Sequence, residues 1–246
     1  MNKYRADLHI HTILSPCGSL DMSPVRIIEK AREIGLDIIG ITDHNNTRHC
    51  KLISKLAEPA GIFVMKGAEV TTREEVHCLS FFENDDQLAD FQDYLEKHLL
   101  PVQNDPAKFG YQLLVDENEQ ITDEIGFLLI SALDQSIEQV EQKVHSLGGI
   151  FIPAHIDRSS YSISSQLGFI PKDLLIDGVE ISATCAVESV IPLIRGQEKL
   201  SIIRSSDAHH IEQIGKVFTT FEMQRRSFAE VKLALQGIEG RRVYLA

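Results

Sequence analysis

The sequence predicts an α/β protein whose strands gather around one mouth as in a barrel, and three observations carry that prediction. Strand-like and helix-like segments alternate along most of the 246 residues, the pattern of repeated βα units. Residues able to bind metals or move protons stand at the ends of almost every predicted strand: His9 and His11, His44, Glu69, His155, Asp207 and His209. In an α/β barrel the strand ends surround a single site, so residues scattered along the sequence become neighbours, whereas an open sheet spreads them along a line. The length suits one such domain.

In chain order, the first strand carries "DLHIHT". Alternation places Asp7, His9 and His11 on one face and Leu8 and Ile10 on the other, and imidazoles about 7 Å apart along a strand can converge on one ion. "SPVRIIEKAREIG" is a helix with Ser23 as N-cap, Pro24 at its first position, Val25, Ile28 and Ala31 on one face and Gly35 as its stop. "LDIIGI" is an apolar run of the kind covered on both faces in a parallel sheet. "TDHNN" and a helix through "RHCKLISKLAE" follow. "GIFVMKGAE" is a third strand ending in Gly67 and Glu69, and "VHCLSFF" is a fourth, trailed by an acidic amphipathic helix around "LADFQDYLEKHLL".

Between Pro101 and Gly126 the alternation falters, and "YQLLVDENEQIT" reads as a surface hairpin. It is expected as a small insertion at about 101–126 within a single domain spanning 1–246. The helix "SIEQVEQKVHSLGG" and the strands "IFIPAH", "DGVEIS", "LSIIRSSDAHH" and "GKVFTTFEM" come next. A last helix opens at "SFAE", with Ser227 and Glu230 as a capping box. Repeated βα units predict that the sheet is parallel.

A net charge of −12 argues against electrostatically driven binding of long nucleic acids and for a small substrate held through bound cations. No apolar run approaches the roughly 18 residues of a membrane span. The N-terminus lacks a basic-then-apolar leader, so a cytoplasmic location is expected. Cys17, Cys50, Cys78 and Cys185 show no paired CxxC spacing, which predicts thiols or ligands rather than disulfides.

Taken in order, "DLHIHT", "ITDHN", the Glu of "GAEVTT", the His of "EEVHCL", "PAHIDR" and "SSDAHH" closely resemble the motifs of the PHP domain, the polymerase and histidinol phosphatase family. The resemblance runs from about Asp7 to His209. It implies a distorted (β/α)7 barrel, TIM-like, with a cluster of two to three divalent transition-metal ions, zinc, iron or manganese, at the C-terminal ends of the strands. Carried over residue by residue, it assigns His9, His11 and Asp207 to a first ion, Glu69 as the bridge to a second held also by His77 and His155, and His44 and His209 to a third. Cys17 falls where the family more often offers His or Asp, and a thiolate favours zinc or ferrous iron over manganese.

The implied activity is hydrolysis of phosphate esters of a small phosphorylated metabolite or short nucleotide by a metal-activated hydroxide, with Glu69 and Asp207 holding the reacting centre. Arg158, three residues after His155, is in reach of the mouth and suits a phosphate, to which a guanidinium offers two hydrogen bonds. Arg195 and Arg204 are weaker candidates. Asp7 and Asp43 are expected to orient neighbouring imidazoles through their second ring nitrogen. His49, His98 and His145 read as solvated helical side chains, and His210 as a neighbour of the site at most. Two other readings stand beside this one: a 3′–5′ exonuclease-like activity, and a metal-binding regulatory module without turnover.

Overall fold

The computed structural model describes residues 1–194, 196 and 200–245. The elements are β1 (Asn2–Ile10), α1 (Pro24–Glu33), β2 (Ile38–Ile41), α2 (Cys50–Ala57), β3 (Phe63–Thr71), β4 (His77–Phe82), α3 (Asp85–His98), α4 (Pro106–Phe109), β5 (Leu113–Val115), β6 (Ile121–Glu124), α5 (Ile137–Ser146), β7 (Ile150–Pro153), α6 (Ile163–Leu167), β8 (Val179–Ile181), α7 (Val187–Val190), β9 (Ile202–Arg204), β10 (Thr219–Met223), α8 (Phe228–Leu235) and β11 (Arg242–Leu245).

Helix starts follow local chemistry. Ser23 accepts the Arg26 N–H with Pro24 at the first position of α1, and Ser136 with Gln139 forms a capping box on α5. Ser227 accepts the Glu230 N–H as predicted. The return bond is absent, however, because the Glu230 carboxylate pairs with Arg241 and accepts the Gln224 N–H instead.

Seven strands form one curled, half-barrel sheet in the order β11-β10-β1-β2-β3-β4-β7. The sheet is mixed, which corrects the expectation of a parallel one. Only β1–β2 and β2–β3 are parallel within it, and the other four pairings are antiparallel. The reason lies in connection length: residues 72–76 between β3 and β4 suffice for a hairpin but not for a crossover, which takes a dozen or more residues. A separate parallel pair, β8–β9, is tied through flanking residues to the edge strand β7 and to the end of β1. Asp177 N–H donates to Phe151 O, and Ala208 N–H to His9 O.

Period-two alternation sorts the sheet's apolar residues between two cores. Ile39, Ile41, Val64, Val70, Cys78 and Phe82 join the helix layer of α1, α2, α3 and α5. Ile38, Met65, Leu79, Phe81, Ile152 and Phe221 join Phe228, Val231 and Leu235 of α8 on the other face. Gly40 and Gly67 permit the curl, since a Cβ on Gly40 would stand 2.3 Å from Leu8 O and one on Gly67 2.1 Å from Ser80 O. In β1 the strict alternation expected fails. The register shifts between Asp7 and Ile10, so Leu8 and Ile10 pack in different cores. Among the described residues no helix is long and apolar enough to cross a membrane.

Candidate metal centre

One rim of the curled sheet collects the ligand-type residues. Glu69 lies near the end of β3 on the α8-facing side that also carries Met65 and Gly67, so the face turns from apolar to polar along a single strand. His77 opens β4 opposite Thr71. It therefore reaches this rim from the N-terminal end of an antiparallel strand, whereas the family resemblance implies a cluster at the C-terminal ends of the strands. His11, His44, His155, Asp207 and His209 follow the ends of β1, β2, β7 and β9. His155 and Asp207 have φ of 31° and 51°, left-handed backbone that costs free energy outside glycine and clusters at functional sites.

Glu69 is at the middle of the cluster. Its Oε1 is 3.3 Å from His9 Nε2, 2.9 Å from His77 Nδ1 and 3.1 Å from His155 Nε2. Its Oε2 is 3.4 Å from His11 Nε2 and 3.1 Å from His44 Nδ1. Asp207 Oδ1 stands 3.3 Å from the Nε2 of both His9 and His11, and Asp207 Oδ2 is 2.6 Å from Arg158 Nη2. Cys17, His11, His44 and His209 converge as a second group. All nine sequence-named ligands thus meet at one rim, with Arg158 at its edge.

The donor set fits divalent cations, and the decisive observation is a pair of lone pairs facing each other. His9 donates Nδ1–H to Glu180 and His11 donates Nδ1–H to Ser15, so in the neutral rings both Nε2 atoms are unprotonated, and they stand 3.1 Å apart. Asp207 Oδ1 beside them is buried without a hydrogen-bond partner, as is His44 Nδ1, which faces Glu69 Oε2. Such a convergence of buried acceptors is unfavourable unless positive charge sits among them.

The same electrostatics appears in the proton affinities. Burial works against the charged form of His11, yet its bonds to Asp207 and Glu69 outweigh that and lift it to about 9. Burial likewise opposes charge on His9, but Glu180, Asp207 and Glu69 hold it well above its ordinary value. Burial works against ionised Glu69 too, and the surrounding His77, His9 and His44 still hold it well below the carboxylate range. His44 and His209 are pushed down by burial, His209 to about 4. Burial pushes the Cys17 thiol up, so it becomes a thiolate only where a cation takes the place of its proton.

The residues that orient these imidazoles differ from those expected. Asp7 touches no imidazole; it accepts the Ser206 and Gly215 N–H groups and so fastens the segment carrying Asp207. Asp43 acts one step removed. Ser15 Oγ–H donates to Asp43 Oδ1 while accepting from His11, and Thr12 donates both N–H and Oγ–H to the same carboxylate. Glu180, buried in β8, is the carboxylate that fixes the His9 tautomer. The only sign of it in "DGVEIS" is a charged residue inside an apolar strand.

His49 is buried rather than solvated, lying between Thr12 Oγ1 at 2.7 Å and the Val115 N–H at 3.2 Å, a bond that docks the β5–β6 hairpin. His98 pairs with Asp134, and His145 with Glu141 and Asp177. His210 is exposed. Arg204 donates to Cys185 O, and Arg195 lies outside the described residues.

Comparison with known proteins places these features in a family. An uncharacterised Bacillus subtilis protein, YqxK, is 24% identical over 277 residues, covering 99% of this chain and 64% of its own. Pyrococcus furiosus Endonuclease Q superposes with a TM-score of 0.74 at 20% identity, over 98% of this chain and 58% of that one. The chain therefore spans less than two thirds of either relative. A Bifidobacterium adolescentis protein described as a metal-dependent phosphoesterase superposes with a TM-score of 0.59 at 19% identity, over 86% of this chain and 91% of that one.

Endonuclease Q is also known in complex with a 27-mer duplex bearing an abasic lesion, a structure that superposes with a TM-score of 0.77. That finding overturns the argument from net charge against long nucleic acids. Net charge sums over the whole surface, whereas binding depends on local fields. Here Arg48, Lys51, Lys55, Lys66 and Arg226 line one groove of about 930 Å³ against three carboxylates, Glu58, Glu83 and Asp85. The PHP domain profile matches residues 7–156 and a PHP-associated profile matches 198–236; with more than half of the chain matched and the ligand cluster assembled on its rim, the protein belongs to the PHP domain family.

Proposed function

We propose that the protein hydrolyses phosphate esters at a centre of two to three divalent transition-metal ions, zinc, iron or manganese, with the strands and the β8–β9 pair acting together as a distorted (β/α)7 barrel. The observation that carries the reading is the pair of facing His9 and His11 Nε2 atoms held beside Glu69 and the unpartnered, buried Asp207 Oδ1. Cations bound there supply Lewis-acid polarisation of the phosphoryl oxygens and a nucleophile at neutral pH. His9, His11, Asp207 and Glu69 would hold one ion, Glu69, His77 and His155 another, and His44, His209 and Cys17 a third.

The chain's own groups prepare this chemistry. The two Glu69 oxygens face different sets of histidines, the disposition of a bridging carboxylate. Glu180 and the Ser15–Asp43 pair hold His9 and His11 with their Nε2 lone pairs turned inward. Arg158, 43% exposed and paired with Asp207, is free to take a phosphoryl oxygen on its open side and stabilise charge that grows in the transition state.

Arg158→Ala is expected to lower kcat on a phosphodiester by on the order of 10²-fold while metal content, read by plasma emission, stays as in the wild type; an effect below about threefold would return Arg158 to a surface ion pair. Cys17→Ser is expected to remove about one ion per chain, because a neutral hydroxyl is a poor ligand for a soft metal. Equal metal content in the two proteins would mean that Cys17 only packs.

A nucleolytic form of the activity is favoured by the likeness to Endonuclease Q over 98% of the chain. The test of the whole reading is phosphate release by metal-reconstituted protein across phosphate monoesters, diesters, nucleotides and an abasic duplex. No turnover of any of them, at a metal content of two or more, would set it aside.

A further inference from the structure

The loop between β7 and α6 carries a side chain that the reading above leaves unused. Tyr161 has φ 55°, a left-handed conformation that a non-glycine residue holds only where its surroundings over-determine it. Two neighbours do so. The Tyr161 carbonyl accepts the His77 N–H at 2.9 Å. The next residue, Ser162, is fully buried, caps α6 and donates its hydroxyl to Arg158 O at 2.6 Å.

The Tyr161 ring lies on the His77 imidazole, with centroids 4.9 Å apart and planes within 24°. Burial is not what the ring gains, since the residue is 43% exposed. Its hydroxyl makes no hydrogen bond among the described residues. One face is therefore committed to His77, and a flat apolar face is left to solvent at the rim of the site.

Distance to the chemistry is short. His77 Nδ1 is 2.9 Å from Glu69 Oε1, so the tyrosine stands one imidazole away from the carboxylate at the middle of the cluster. Three residues earlier on the same loop, Arg158 reaches Asp207 on that same cluster. The loop thus presents a cation suited to a phosphate and an open aromatic face suited to a flat π-system, both beside the position of the reacting phosphorus. A sugar phosphate without a base would leave that face in water.

We propose that Tyr161 is the stacking platform for a nucleobase, so that the ester cleaved lies within or at the end of a nucleotide. The proposal rests on the phosphoesterase reading for the position of the phosphate. Aromatic side chains hold bases without reading their identity, so the platform selects for a base beside the phosphate and not for one particular base.

The test compares two ligands that share a phosphate and differ in the base, adenosine 5′-monophosphate and ribose 5-phosphate, by equilibrium dialysis against the metal-reconstituted full chain, with phosphate release followed in the same samples. The wild type is expected to bind the nucleotide on the order of 10–100-fold more tightly. Tyr161→Phe is expected to keep that ratio. Tyr161→Gly, which tolerates φ 55° without strain, is expected to bring it near one, and Tyr161→Asn, also at home in this conformation, gives a second removal of the ring should the glycine variant fold poorly.

Equal affinities in the wild type, or a glycine variant that loses both ligands in equal proportion, would overturn the platform and leave the ring as a prop for His77. The two readings fail separately. A base-dependent ratio with no turnover of any ester supports the platform and rejects the hydrolase, and turnover without the ratio does the reverse.

Discussion

Glu69→Gln is expected to lower kcat by about 10³-fold or more and to strip at least one ion, while the melting temperature changes by only a few degrees. The substitution keeps the shape but removes both anionic oxygens at the point where five imidazoles meet: His9, His77 and His155 on one oxygen and His11 and His44 on the other. An amide offers one neutral oxygen and turns an N–H₂ toward ring nitrogens that should be receiving a cation. Removing a single oriented group from a site of this kind costs 10²–10³-fold, roughly, and in the proposed centre, where Glu69 would bridge, the loss would weaken the hold on two cations at once. Plasma emission on dialysed protein, together with single-turnover rates on a phosphodiester, checks both halves. Retention of wild-type turnover would mean that the chemistry is not organised around Glu69.

Gly40→Ala is expected to cost about 3 kcal/mol or more of stability, a fall in melting temperature of roughly 6–12 °C for a domain of this size. The new methyl would lie 2.3 Å from Leu8 O, 2.6 Å from Leu8 C and 2.7 Å from Leu8 Cα. All three are backbone atoms of β1 that cannot swing aside as a side chain would. Relief comes only by parting β1 from β2, the strands that lead into His11 and His44. Gly61→Ala is the control, because Gly61 has φ +69° and nothing within 4 Å of a built Cβ, so it carries a conformational cost of about 1–2 kcal/mol and no collision. Thermal unfolding of the two variants side by side decides it: a Gly40→Ala loss no larger than that of Gly61→Ala would show that β1 and β2 are not held this closely.

The candidate ligands were legible in the sequence because metal-binding residue types are few, and they recur here at the ends of apolar runs where chance rarely puts them. His9, His11, His44, Glu69 and His155 could be named before their geometry was known. The direction of β4 was not legible from its composition, since "VHCLSFF" reads the same in either sense; the short connection of residues 72–76 was the available signal. Glu180, Ser15 and Tyr161 escaped for a different reason. Each acts through a partner fixed by the fold, and His9 lies 171 residues from Glu180, beyond anything that periodicity can relate. His49 was misread because its helix faces a hairpin whose docking no local pattern announces.

The two hydrogen bonds that Asp7 accepts from the backbone N–H groups of Ser206 and Gly215 bear on the order in which the site is assembled. A domain emerges from the ribosome N-terminus first, and contacts across such a span close late because the intervening chain must be ordered before they are rewarded. A nascent chain halted before residue 207 would own His9, His11, His44, Glu69, His77 and His155, and yet lack Asp207 and His209 as well as the anchor that sets them against β1. At the proposed metal centre, capture of the full complement of cations is therefore expected only after residues 207–209 have docked against β1.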